Sequence, residues 1–196
     1  MKPSTIKPMS IFETTRISEI TQKGKTAMTK SRTSLSLLVV VITFAAAALA
    51  QTSSLTDAQR AFATIKNMPG TWEGKTSDGH SVQVDFKVTA AGSAVMSEIL
   101  GHEDMISMFH MDGPDKLLMT HYCSAGNQPR MQASVSPDGK TIVFNFLDAT
   151  NLATPDAGHM QRMVLTMLDE NHHTEEWTFA NHGQQMKELF DLRRKM

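Results

Sequence analysis

A single cysteine among 196 residues excludes an intramolecular disulfide framework and any metal site built from several thiolates. Aromatics are scarce: one Tyr, two Trp and nine Phe. They are not interleaved with a basic stripe, so the chain lacks the stacking surface of a single-strand binder. There is no G-x-S-x-G, no P-loop, no G-x-G-x-x-G and no H-E-x-x-H. The common hydrolase, phosphate, dinucleotide and zinc-protease chemistries therefore have no motif to stand on. A net charge of −1 conceals an asymmetry. Residues 1–50 hold seven Lys/Arg against two Asp/Glu, whereas residues 51–196 hold twelve against eighteen, with all eight His. An acidic remainder argues against nucleic acid as a partner.

What is present begins with Leu35 to Ala50, LSLLVVVITFAAAALA. Lys30 and Arg32 precede this run, and Ala48-Leu49-Ala50 closes it before Gln51. A basic flank, an apolar run and an A-x-A site predict a cleaved Sec-type signal peptide. The run has 16 residues, short of the ~20 needed to span a bilayer, so no stable membrane anchor is expected after cleavage. The flank is long, and Met28 opens a segment of ordinary signal length. Residues 1–50 are thus read as a signal peptide with an N-terminal extension over 1–27. Residues 51–196 form the domain, and its expected place is periplasmic or secreted. A 146-residue remainder suits one domain with a true core.

Thr56-Asp57-Ala58-Gln59 is a capping box. Leu55, Ala58, Phe62 and Ile65 follow at helical spacing, and Pro69-Gly70 ends the pattern. One short helix is predicted over 55–67. Beyond Gly70 the period changes to two. Val82, Val84, Phe86 and Val88 alternate with polar residues, and Ile142, Phe144 and Phe146 share one face. Turn chemistry such as Asp78-Gly79, Gly101-His102, Gly126-Asn127 and Asp138-Gly139 recurs at strand-length intervals. It divides the chain into ten segments: 70–78, 81–90, 94–100, 103–111, 115–123, 129–136, 140–149, 159–168, 172–181 and 184–194. Close-set antiparallel strands without βαβ alternation predict an all-β fold: a closed up-and-down barrel of about ten strands with one short N-terminal helix.

Gly70-Thr71-Trp72 follows the helix and opens the first strand. This arrangement resembles the G-x-W opening of lipocalins and related calycin barrels. With GSAVMSEIL, MISMFHMDG and LLMTHYCSAGNQPRM in order, the chain resembles an exported bacterial family of lipocalin-like domains of unknown function. It is also similar, less closely, to nitrobindin-type haem barrels. The resemblance implies a calycin-like barrel in which Gly70 and Trp72 are structural and Trp72 closes one end. It also implies a basic residue near the end of the last strand across that Trp, for which Arg193 and Arg194 qualify.

The densest polar cluster is His121-Tyr122-Cys123 with Asn127-Gln128-Pro129-Arg130. An inward His121 can meet Arg130 from the next strand and anchor a ligand head in an apolar cavity. The same groups can instead form a hydrogen-bonded cluster that fixes the strand connection. Glu98 shares a face with Met96 and Leu100, and a carboxylate on an apolar face needs a mate such as His121 or Arg130. Met105, Met108, His110, Met111, Met119 and His121 are donors that suit copper. Met163, Met167 and Met186 continue the habit elsewhere, so a flexible apolar lining is the simpler reading. His172-His173 lies beside a turn, where exposed histidines are common, and two adjacent ones point apart on a strand. Cys123 reads as a buried structural thiol. No metal and no other cofactor is implied.

The sequence therefore supports an exported barrel that binds a small, largely apolar molecule with a polar head, acidic if Arg130 faces inward. Met96, Met108, Met119, Phe144 and Phe146 are candidate lining residues. Glu98, His121, Tyr122 and Arg130 are candidate polar contacts. The alternatives are a haem-binding or enzymatic barrel using a cavity histidine, and a filled barrel acting as an interaction domain. The export reading predicts that N-terminal sequencing of the exported protein begins at Gln51. A mature product retaining Leu35–Ala50 overturns it.

Overall fold

A computed structural model describes residues 54–101 and 103–196. The signal peptide expected over 1–50 lies outside the described residues. Helix α1 runs Asp57–Lys66. Both halves of its capping box are formed, with Thr56 Oγ1 accepting from the Gln59 backbone N–H and Gln59 Oε1 accepting from the Thr56 N–H. Ala58, Ala61, Phe62 and Ile65 make its buried face.

Ten strands follow: β1 (Gly70–Thr76), β2 (Ser81–Thr89), β3 (Ala94–Leu100), β4 (Met105–Met111) and β5 (Leu117–Tyr122), then β6 (Gln128–Val135), β7 (Thr141–Thr150), β8 (His159–Asp169), β9 (His172–Asn181) and β10 (Gln184–Arg194). Every strand pairs antiparallel with its sequence neighbours, and β1 pairs with β10, so the sheet closes into an up-and-down barrel. Full closure removes the sheet edges that an open structure would have to protect. Alternation puts Trp72, Val84, Val95, Phe109, Met119, Phe144, Leu165 and Leu192 inside, all fully buried.

The two ends of the barrel differ. Helix α1 packs against β4, β5 and β6 at one end. There Trp72 is fully buried, and its indole Nε1 donates to the Met68 carbonyl at 2.9 Å. The Arg194 guanidinium lies 4.2 Å over the Trp72 ring. It donates to the carbonyls of Pro69 at 2.7 Å, Asn67 at 3.2 Å and Met68 at 3.4 Å. The contact belongs to Arg194 and not to Arg193. Register decides it: Trp72 is opposite Arg194, whereas Arg193 is opposite Glu73 and faces outward, exposed.

Two glycines permit this end to close. Gly70 has φ +121°, a backbone state that L side chains rarely adopt. A Cβ at Gly74 would stand 1.7 Å from the Asp191 carbonyl oxygen across the β1–β10 seam.

Trp72→Ala should destabilise the barrel by about 3–5 kcal/mol, the range for large-to-small core changes. Arg194→Ala should cost well over the ~0.5 kcal/mol scatter of surface changes, and Arg193→Ala should fall within it. Urea unfolding of the three variants distinguishes them. Equal costs for the two arginines would remove Arg194 from the seal.

Candidate functional site

The interior is apolar except along one line of side chains. On β5, Leu117, Met119 and His121 point inward, and His121 is fully buried. Its cross-strand neighbour Ser107 is buried with it, and Ser107 in turn pairs with buried Ser97. Ser107 Oγ and His121 Nδ1 share a hydrogen bond of 2.9 Å. Nε2 of His121 has no partner among the described residues.

Strand β9 supplies the other half. His173, Glu175 and Trp177 alternate inward, and all three are buried. Trp177 Nε1 donates to Glu175 Oε2 at 3.0 Å, and His173 Nε2 lies 3.3 Å from Glu175 Oε1. A buried carboxylate needs such donors, because its desolvation is otherwise prohibitive. His173 packs edge-on against Trp72, with centroids 4.3 Å apart, and its Nδ1 has no partner among the described residues. The His121 ring lies 4.9 Å from Trp177, so the two halves meet within the barrel.

The placement of the sequence-predicted residues is mixed. Met119 and Phe144 line the interior, and Phe144 packs edge-to-face on Phe109 at 5.4 Å. Phe146 is half-buried against His159. Met96, Glu98 and Met108 are corrected: they face outward, while Val95, Ser97, Ile99, Ser107 and Phe109 take the inner face. Strands β3 and β4 carry apolar residues on both faces, so alternation alone cannot choose the inner one. Tyr122 is also corrected: next to inward His121, it points outward and is 49% exposed.

Arg130 is the largest correction. It is opposite Thr120 and not His121, and this one-residue difference sends it outside. There it makes a forked pair with Asp148 across the β6–β7 ladder. It offers no interior cation. His173, Glu175 and Trp177 escaped the sequence reading. His172 and His173 do point apart: His172 turns outward to Asp191 at 2.8 Å, whereas His173 is fully buried and not an exposed turn histidine. The signal was there: counting back by twos from Trp177 gives Glu175 and His173.

A pocket of about 530 Å³ opens at the end opposite α1. Met160, Trp177 and Phe179 supply its apolar lining, with Cys123 beside them, and Asp78, Glu103 and Glu188 its carboxylates. Cys123 lies two residues beyond His121, just past the end of β5, so the pocket sits above the buried polar line. A second depression of about 590 Å³ flanks the C-terminal end of α1. Its Arg194 is already committed to the helix carbonyls, and no aromatic side chain lines it.

Nucleophilic chemistry is poorly served. Burial pushes the Cys123 thiol above its ordinary pKa, which disfavours the reactive thiolate. Among the described residues no group of three or more His, Cys, Asp or Glu is placed to hold a metal ion.

No protein-family model matches the chain, and no curated protein matches it. A solved structure similar to it is that of Rv2717c from M. tuberculosis. The two are 13% identical, the match covers 69% of this chain and 98% of that one, and the TM-score is 0.49.

Burial lowers the His121 pKa from 6.5 to about 4. At pH 7 the ring is neutral in both folded and unfolded chains. Below pH 6.5 the unfolded chain takes up a proton that the folded chain refuses. Stability should therefore fall between pH 6.5 and about 4, by roughly 3 kcal/mol from this group. Denaturant unfolding at pH 7 and pH 4.5 measures the loss, and His121→Gln should flatten it. An unchanged slope in the variant would show that His121 is not the group responsible.

Proposed function

We propose that this barrel binds a small, largely apolar molecule at the mouth opposite helix α1. The observation that carries the reading is the mouth pocket itself, floored by Trp177, Phe179 and Met160. Concave, mostly apolar sites with a few converging polar groups are where small ligands bind. The asymmetry of the ends supports the same reading, because Trp72, Arg194 and α1 occupy the other end. The half of the barrel next to α1 is filled by its own side chains, so binding is confined to the mouth.

The lipocalin-like resemblance remains part of this proposal. It is supported by an Arg over the G-x-W tryptophan in a closed antiparallel barrel. Export of the protein belongs to the same reading and rests on the Leu35–Ala50 run and its flanks. An acidic head group, however, loses its support with Arg130 on the outside.

The test uses a neutral fluorophore, N-phenyl-1-naphthylamine, titrated into the folded protein. Saturable binding at one site per chain is expected. Ala125 lies on the exposed β5–β6 turn and lines the pocket. Ala125→Trp should obstruct the mouth and weaken binding by about tenfold or more, equivalent to ~1.4 kcal/mol. Leu168→Trp, beside the second depression, should leave the affinity unchanged. Absence of saturable binding, or the reverse pattern, sinks the proposal in favour of a filled barrel.

A further inference from the structure

We infer that the molecule taken at the open mouth carries a positively charged nitrogen: a hydrophobic amine or a quaternary ammonium. This rests on the mouth being the binding site, and it adds the chemistry of the head group. Three carboxylates border the pocket, from Asp78, Glu103 and Glu188. They come from the β1–β2 turn, the β3–β4 turn and the start of β10, so they converge from three elements.

Among the described residues, the one Lys or Arg bordering the pocket is Lys187, and it is engaged elsewhere. Its Nζ donates to Glu176 at 2.8 Å, and Arg162 lies 3.7 Å from the same carboxylate oxygen. Outside the pocket lining but toward the same end, Arg130 is committed to Asp148, and Lys75 donates to Ser81 Oγ. An anionic head would thus meet three carboxylates, while the one lining cation among the described residues is already paired. Juxtaposed like charges of that kind discriminate strongly against a ligand.

The floor favours the same sign. Trp177 and Phe179 present aromatic rings, which attract a cation by their quadrupoles. The indole N–H of Trp177 is already spent on Glu175, so the ring itself is what Trp177 offers a ligand. Behind Trp177 lies the Glu175 carboxylate. The nearer histidine, His121, is held neutral at pH 7 by its burial. The fixed charges around the mouth, and the partial charges of its floor, therefore agree.

The experiment displaces N-phenyl-1-naphthylamine with three ligands of one chain length: decyltrimethylammonium, decanol and decanoate. All are used below their micelle concentrations, at pH 7.5. The ammonium should bind at least about tenfold more tightly than decanoate, and its advantage should shrink as salt rises. The double variant Glu103→Gln/Glu188→Gln should bring the two affinities together, and its melting temperature should stay near wild type. Equal displacement by all three ligands overturns the cation preference and leaves the mouth as the site. Tightest binding of decanoate also overturns it. Failure of the neutral fluorophore to bind overturns the mouth reading and this inference with it.

Discussion

The structure depends on one stack, Arg194 over Trp72. These residues are cross-strand partners on β1 and β10, so their contact lies on the seam that closes the sheet. The same guanidinium gathers the carbonyls of Asn67, Met68 and Pro69, just past the C-terminal end of α1. Of these, the carbonyl of Asn67, the C-cap, is one that the helix end leaves without an intrahelical partner. The indole N–H joins them through the Met68 carbonyl. Barrel closure, the sealing of one end and the docking of the helix are therefore a single interaction. Gly74 is bound to it sterically, because any Cβ there would force the seam apart.

Sealing one end determines what the other can do. The helix and Trp72 complete the apolar core on their side. At the far end the strands run into short turns, and Trp177 and Phe179 line the pocket that opens there. Between the two ends lies a buried polar line from His121 to His173. Glu175 is stabilised by His173 and the Trp177 indole, and this holds the Trp177 ring in place beneath the mouth. Its desolvation cost is met inside the core, and the benefit is a fixed aromatic floor.

Much of the fold was legible because its signals are local. The capping box at Thr56 and Gln59 needs four residues, and the helix forms where they stand. Turn chemistry at Asp78-Gly79, Gly126 and Asp138-Gly139 punctuates the strands whichever way they face. The site was less legible. Strands β3 and β4 are apolar on both faces, so Met96, Glu98 and Met108 were given the inner face that Ser97, Ser107 and Phe109 occupy. Buried serines read as surface until a histidine is brought opposite them.

The sequence by itself determined the all-β class, the number and span of the strands, the single helix and the tryptophan that closes its end. Those follow from period, caps and turns, which act over a few residues. Only the tertiary structure decided which face of each strand looks inward, because a one-residue shift between neighbours reverses every side chain. That shift placed Arg130 on the surface with Asp148, and brought His173, Glu175 and Trp177 into the core. It also decided the character of the mouth, since Asp78, Glu103 and Glu188 lie far apart in the chain and meet only when the barrel closes.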